Sequence, residues 1–139
     1  MLLGEYRYNV DAKGRLFMPA RLRDEMGDSL VVTRSLDQCI NVYSAQEWQK
    51  FVDKLMTLPE ITAREVKRFI FSSAMELNVD SMGRIVLPQK LRETATISKA
   101  VVILGVDNHA EIWSEEEYGK YEASCDTEEM LKILSGYSF

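Results

Sequence analysis

Two stretches of the chain carry an aspartate, a glycine and an arginine at the same spacing. The first is NVDAKGRLFMP at residues 9–19, and the second is NVDSMGRIVLP at residues 78–88. Aspartate at the first position of a four-residue turn and glycine at the fourth are typical of a type I turn. Glycine also suits the left-handed conformation that closes such a turn with a bulge. Each stretch is therefore predicted to form a tight loop between two strands.

The arginine that follows each turn is not needed by the turn itself. Arg15 stands four residues after Asp11, and Arg84 stands four residues after Asp80. An exposed ion pair at this spacing stabilises a fold by only ~0–1 kcal/mol. An arginine held by an aspartate can instead offer a forked donor to a phosphate or to a guanine edge. Two interpretations stay open: a nucleic-acid-binding loop, or an ion pair that only ties the loop.

The duplication extends far beyond the loops and predicts one domain over residues 1–139. We divide it into repeat one (1–58), a linking helix (59–74), repeat two (75–128) and a C-terminal helical tail (129–139). Half a chain of this size is a poor independent folder. Two such halves can close one barrel around a pseudo-twofold axis, because each half covers the strand edges of the other.

Each half is predicted to contain a hairpin, a short helix, a second hairpin and a helix. Pro19 and Pro88 are expected at the first positions of the short helices, and Gly27 is expected to end the first of them. The later helices are predicted to start at the capping boxes SAQE (44–47) and SEEE (114–117). Their aromatic residues recur at helical spacing, so we expect these side chains in the core: Trp48, Phe51, Tyr118 and Tyr121.

Composition and charge describe a globular protein with an uneven charge distribution. The net charge is −5, but residues 1–24 are mildly basic, whereas residues 107–132 are strongly acidic. The acidic end is expected to be a solvated face turned away from any DNA. No apolar run is long enough for a membrane helix, and the start of the chain does not resemble a signal peptide. A cytoplasmic location and no membrane partner are expected.

Catalytic and metal-binding patterns are absent from the sequence. His109 has no counterpart in repeat one and is expected to be an exposed turn residue. Cys39 and Cys125 lie far apart, without the spacing of a zinc site and without a neighbouring base. Neither a P-loop nor a Rossmann glycine pattern occurs. We therefore expect no enzyme, no catalytic residue, no metal, no cofactor and no small-molecule substrate.

The paired DxxxR motifs, Asp11 to Arg15 and Asp80 to Arg84, together with the proline-opened helices after them, resemble the MraZ family of bacterial regulators. More distantly, the chain is similar to the AbrB-type swapped-hairpin DNA-binding domains. The resemblance covers nearly the whole chain, including Gly4. It implies an α+β, mainly β fold: a double-wing swapped-hairpin β-barrel from two internal repeats, with peripheral helices.

The resemblance also implies a function. Members of this family are ring-shaped homo-oligomers that bind double-stranded DNA at short direct repeats upstream of their own operon. They act as transcriptional regulators, typically autorepressors of the division and cell-wall operon, and associate with the nucleoid. Transferred by position, the residues implied to bind DNA are Asp11, Lys13, Gly14, Arg15, Asp80 and Arg84. The basic start of the chain adds Arg7 and Arg21 as candidates for further phosphate contacts.

One departure from internal symmetry concerns the tip of the second loop. Met82 stands where the first loop has Lys13, so the second loop lacks a positive charge there. We expect the first loop to do most of the DNA binding and the second to serve mainly the ring interface. The alternative function is an AbrB-like antitoxin, or an interaction protein, whose DxxxR motifs are mainly structural.

Overall fold

The computed structural model describes residues 1–139 as eight strands and six helices. The strands are β1 (Glu5–Asn9), β2 (Arg15–Phe17), β3 (Ser29–Arg34), β4 (Ile40–Ser44), β5 (Met75–Asn78), β6 (Arg84–Val86), β7 (Ala100–Val106) and β8 (His109–Ser114). The helices are α1 (Ala20–Met26), α2 (Ala45–Leu55), α3 (Glu60–Phe71), α4 (Gln89–Thr94), α5 (Glu115–Ser124) and α6 (Thr127–Ser135). The predicted α+β class is confirmed.

The larger sheet shows how the two halves of the chain depend on each other. Its six antiparallel strands follow the order β1-β7-β8-β4-β3-β5. That order reads the same from both ends when each strand is exchanged for its counterpart in the other repeat. β1 pairs with β7 and β5 pairs with β3, so each outer strand is bound by the other repeat. Neither half can complete its sheet alone.

The two short strands β2 and β6 form a separate two-stranded ribbon. The strands on either side of each loop therefore do not pair in a simple hairpin, because β2 takes β6 as its partner. This is the exchange that the resemblance implied. The hydrogen-bonded ladder does not close into a complete barrel. Leu16 of β2 and Ile85 of β6 are nevertheless fully buried in the same core as the larger sheet, so the ribbon covers the core on this side.

The core is built mainly by strands, although helices contain more of the residues. Most of the large side chains that are fully buried lie on strands, among them Val32, Ile40, Ile103 and Ile112. Burying one such side chain contributes about 1.5–3 kcal/mol. Leu22 of α1 and Leu91 of α4 join the same cluster. These contacts hold the two short helices beside the ribbon.

The helix starts follow the predicted signals. Ser44 Oγ accepts from the backbone N–H of Glu47 at 3.1 Å, and Ser114 Oγ accepts from that of Glu117 at 3.2 Å. Pro19 and Pro88 are the residues immediately before α1 and α4, one position earlier than predicted. Gly27 ends α1 with φ near 79°. Proline still fits these positions because it needs no N–H there.

The outer helices of the two halves differ in their packing. α2 buries Leu55, and α3 buries Ala63 and Ile70, whereas neither α5 nor α6 buries any side chain fully. The expectation that Tyr121 lies in the core is wrong, because its side chain is 46% exposed beside Tyr118 and the buried Trp113. None of the six helices combines the length and apolar character needed to cross a bilayer. The division of the chain into four parts stays a prediction.

Candidate nucleic-acid interface

The first loop is held by a single carboxylate. Asp11 Oδ1 accepts the backbone N–H groups of Lys13 and Arg15, each at 2.9 Å. Asp11 Oδ2 accepts Nε–H of Arg15 at 2.6 Å. The backbone closes the turn with Gly14 N–H donating to Asp11 O at 3.0 Å. The aspartate therefore fixes both the turn and the direction of the guanidinium.

The second loop repeats this geometry. Asp80 Oδ1 accepts the backbone N–H groups of Met82 and Arg84 at 2.9 Å, and Oδ2 accepts Nε–H of Arg84 at 2.9 Å. Gly83 N–H donates to Asp80 O at 3.0 Å. In both loops the ion pair uses only Nε. The two terminal nitrogens of each arginine have no hydrogen bond to the rest of the chain.

Hydrogen bonding also keeps both aspartates ionised. The N–H of Arg15 lowers the pKa of Asp11 below its ordinary value, and the N–H of Arg84 does the same for Asp80. Accepted hydrogen bonds stabilise the charged form of a carboxyl group. Each guanidinium therefore has a charged partner throughout the neutral pH range.

The ribbon brings the two motif arginines to one surface. Arg15 lies opposite Val86, and Phe17 lies opposite Arg84. Side chains on a strand alternate between faces, so these four residues share the outer face while Leu16 and Ile85 point into the core. Arg15 and Arg84 are diagonal neighbours, with Cα atoms about 7–8 Å apart. The structure therefore combines the two loops in a single surface.

Two further arginines, which the sequence analysis did not assign to the site, lie against the loops. The guanidinium of Arg92 packs against Gly14, and that of Arg23 packs against Gly83. Arg92 Nε donates to Leu87 O at 3.2 Å, and Arg23 Nε donates to Met18 O at 3.0 Å. Each loop thus receives a cation from the other repeat. The sequence contained a signal for these two residues, because Arg23 and Arg92 occupy matching positions of the duplication.

The loop glycines are required by conformation and by space. Gly14 has φ near 80° and Gly83 near 85°, a region that residues with a Cβ seldom occupy. A Cβ at position 83 would lie 2.8 Å from Cζ of Arg23. The backbone is also tied across the repeats, since Leu87 N–H donates to Gly14 O and Met18 N–H to Gly83 O, at 2.8 and 2.9 Å.

The two loops differ in what surrounds their arginines. The guanidinium of Arg84 lies over the ring of Phe17, with Cζ 5.9 Å from the ring centroid. The position opposite Arg15 is occupied by Val86, which has no ring. The side chain of Arg84 is 22% exposed, compared with 35% for Arg15. The second arginine is therefore the more covered of the pair.

The additional basic candidates differ in whether a carboxylate already engages them. Lys13 at the loop tip and Arg21 on α1 have no carboxylate within salt-bridge distance. Arg7 on β1 is engaged, because its guanidinium lies 3.2 Å from Glu5 and 3.3 Å from Glu115. A phosphate at Arg7 would have to compete with two carboxylates.

The nucleophile and base candidates from the sequence occupy structural positions. His109 is not an exposed turn residue: it begins β8, stacks on Tyr43 and places Nε2 3.3 Å from Glu111. Burial raises the pKa of the Cys39 thiol to about 12, so it stays protonated at neutral pH. The residues form no group of His, Cys, Asp and Glu suited to hold a metal ion.

Comparison with known proteins gives a match over nearly the whole chain. Residues 1–69 and 70–133 each match a family described as "MraZ protein, putative antitoxin-like". The two matched segments correspond to the duplication seen in the sequence.

Individual relatives are similar over most of their own length. A protein of Heliobacterium modesticaldum is 49% identical over 96% of this chain and 96% of the relative. A protein of Desulforamulus reducens is 46% identical over 91% of this chain and 90% of the relative. One of Caldanaerobacter subterraneus subsp. tengcongensis is 42% identical over 99% of both. All three are named transcriptional regulators, a class that is not enzymatic.

Proposed function

The chain belongs to the MraZ family, and from that premise we propose that it is a transcriptional regulator that binds double-stranded DNA through the β2–β6 ribbon. The observation that supports this most directly is the position of Arg15 and Arg84 on one outer face. The major groove, about 12 Å wide, admits a two-stranded ribbon. Each arginine is oriented through Nε by its aspartate and keeps its terminal nitrogens free for a guanine or a phosphate.

The charges around the ribbon suit a DNA partner. Lys13 adds a cation at the first loop, while Arg23 and Arg92 add one beneath each glycine. The aspartates are already neutralised by their own arginines, so they do not cancel these charges. Arg21 is available for a phosphate contact, and Arg7 contributes less because carboxylates hold it. We propose that the first loop contributes more affinity than the second.

A homo-oligomer would raise the affinity of this small surface. One ribbon neutralises few phosphates, and backbone affinity depends on how many are neutralised. Joining several ribbons in a ring increases their effective concentration when the spacing of the DNA sites matches. We infer that the chain assembles as a ring and represses its own division and cell-wall operon at direct repeats. It would then act in the cytoplasm, on the nucleoid.

The test is a fluorescence anisotropy titration on DNA from the region upstream of the gene. Wild-type protein, Arg15→Ala and the charge-matched control Lys54→Ala are titrated at several salt concentrations, with scrambled DNA as competitor. Lys54 lies on α2, outside the ribbon surface. We expect tight binding of the native DNA, a steep loss of affinity with salt, and a loss of at least tenfold in Arg15→Ala only.

Two results would overturn the proposal. The first is equal affinity for native and scrambled DNA, and the second is unchanged binding in Arg15→Ala. Thermal unfolding of each variant separates a lost contact from a lost fold. Shortened DNA with one, two or three repeats then tests the ring, because affinity should rise with the number of repeats.

The antitoxin alternative has one specific observation in its favour, the description of the matching family as antitoxin-like. Under that function, the motif arginines would mainly tie the loops, and a partner protein would bind elsewhere on the chain. A neighbouring gene whose product is toxic alone and is neutralised by this chain would favour it over the regulator.

A further inference from the structure

The last helix, α6, is a strongly amphipathic element with nothing packed on it. Its apolar residues Met130, Ile133 and Leu134, followed by Tyr137, recur at the spacing of one helix face. All four are exposed, from 42% for Leu134 to 78% for Tyr137. A contiguous exposed apolar face of this kind is a feature of interaction surfaces.

The carboxylates of α6 are confined to its beginning, and its one cation, Lys132, lies in its second half. Asp126 caps the helix by accepting the N–H groups of Glu128 and Glu129 at 3.0 and 3.2 Å. Only Glu129 has a cation nearby, Lys132 at 3.6 Å. The helix therefore carries an acidic first turn and, apart from Lys132, an apolar second half.

The outer surface of α3 has the opposite order of features. Leu58, just before the helix, and Ile61 in its first turn are 43% and 81% exposed. Arg64 and Arg68 follow Ile61 at intervals of three and seven residues, on the same side of the helix. Neither arginine, nor Lys67 between them, forms an ion pair within the chain. This surface is thus apolar near the start of α3 and basic further along it. The helix also carries two carboxylates, Glu60 and Glu65.

We propose that α6 of one copy packs antiparallel on the outer face of α3 of a second copy. Antiparallel packing places the acidic first turn of α6 beside Arg64 and Arg68, and places Leu134 and Tyr137 beside Leu58 and Ile61. The lengths agree: Ile61 to Arg68 and Asp126 to Leu134 each span about 10–12 Å of helix. Within one chain both faces are exposed, so the two helices do not pack on each other there.

This contact has a consequence for assembly. Each copy offers one α6 and one α3 face, so it gives one contact and receives another. A head-to-tail contact between different surfaces closes into a ring or continues as a filament. The inference therefore rests on the homo-oligomer proposed above, and it assigns the surfaces that hold neighbouring copies together. It leaves the ribbon of every copy free for DNA.

Charge reversal on each helix tests the pairing, with molar mass measured by light scattering after size exclusion. The first variant is Glu128→Lys with Glu129→Lys, and the second is Arg64→Glu with Arg68→Glu. Each is expected to have a smaller mass than wild type, because the first turn of α6 and the basic end of α3 would then no longer carry opposite charges. The variant that carries all four changes, and an equimolar mixture of the two double variants, should regain the wild-type mass.

A control and the DNA readout separate this inference from the proposed function. Lys50→Glu with Lys54→Glu, on α2, makes the same change of charge as the α3 variant and should leave the mass unchanged. The reversed variants should keep their affinity for DNA with one repeat and lose the gain from several repeats. Affinity for the single repeat tests the ribbon independently of any assembly.

Three outcomes would overturn the pairing. They are a wild-type mass in both double variants, a failure of the fourfold variant and the mixture to regain the mass, and a wild-type protein that is monomeric. A monomeric wild type that still binds its upstream DNA specifically would overturn the pairing but not the ribbon. Capture of a different small protein by α6, with wild-type mass unaffected by reversal, would favour the antitoxin alternative.

Discussion

The two DxxxR loops share one framework but differ in the residues around it. The hydrogen bonds that the carboxylates of Asp11 and Asp80 accept match atom for atom, and their lengths agree within 0.3 Å. Lys13 at the first tip is replaced by Met82 at the second, and only Arg84 has an aromatic ring, Phe17, beside it. The hydrogen-bonded framework is thus the same in both loops, whereas the charge at the tip and the exposure of the arginine differ. The duplication preserves the geometry of the loops more strictly than the charges around them.

The largest expected effect comes from removing each motif arginine. Arg15→Ala should weaken binding to the upstream DNA by about 1–3 kcal/mol per contacted site, because a forked donor is lost. Arg84→Ala should weaken it less, since that guanidinium is more covered. Anisotropy titrations of both variants under the same salt conditions measure the difference. Equal losses would remove the proposed inequality between the loops.

Alanine at the loop glycines should separate conformational strain from crowding. Gly14→Ala and Gly83→Ala both force a residue with a Cβ to positive φ, near 80° and 85°, which costs about 1–2 kcal/mol. The added atom would lie 3.1 Å from a terminal nitrogen of Arg92 at position 14 and 2.8 Å from Cζ of Arg23 at position 83. We therefore expect Gly83→Ala to lower the free energy of unfolding more than Gly14→Ala does, as measured by urea denaturation. Identical losses would mean that Arg23 moves aside freely.

Exchanging the residues at the two loop tips should change how much each loop contributes to DNA affinity. Lys13→Met should weaken DNA binding several-fold and reduce the salt dependence by about 0.9 for each ribbon engaged, because one phosphate contact is lost. Met82→Lys should do the reverse if the second tip also lies near a phosphate. Plots of log affinity against log salt concentration provide the measurement. An unchanged slope in Met82→Lys would place the second tip away from DNA.

The ring beside Arg84 should have a smaller effect. Phe17→Val removes the cation–π contact, which is worth about 0.5–1 kcal/mol at exposed sites. The substitution should free Arg84 and bring its behaviour closer to that of Arg15. We expect the cost of Arg84→Ala in DNA affinity to be greater in a Phe17→Val background than in wild type. A double-mutant cycle that shows no coupling would contradict this role of Phe17.

The pH response should be the same in both loops. The pKa values of Asp11 and Asp80 are lowered by the N–H groups of Arg15 and Arg84. Their contribution to loop stability is therefore fully present above the unfolded value, near pH 3.9, and is lost as pH falls through the lower folded values. Carboxyl NMR titration should give both midpoints below the value of an unperturbed aspartate, and the carboxyl chemical shifts should not change between pH 5 and 8. A higher midpoint at one loop would show that its ion pair is not formed.

The sequence predicted the fold where the duplication carries local signals. Asp11 with Gly14 indicated the first turn, and the serines at 44 and 114 indicated the starts of α2 and α5. The separation of the β2–β6 ribbon from the larger sheet could not be read from three-residue strands, because no periodicity distinguishes their partners. Likewise, the pattern of α5 predicted a buried Tyr121, but nothing in the chain covers that side of the helix.

The candidate site could be predicted only in part. The motif arginines followed from residue types and spacing alone. Arg23 and Arg92 were missed because each acts on the loop of the opposite repeat, a relation that appears only once the chain has folded. The state of Arg7 was missed for a similar reason, since Glu115 reaches it from far along the sequence.

The interleaving of β1 with β7 has a consequence during synthesis on the ribosome. The partner of β1 ends at residue 104 in that pairing, so most of the chain must be made before the first strand can join its sheet. Contacts between distant segments also slow folding, because the closure of long loops must precede them. Chains terminated before β7 is made would therefore leave β1 without its partner. Even where both strands of the ribbon are present, they would lack the completed sheet beneath them, so only the finished chain could hold the two loops on a formed core.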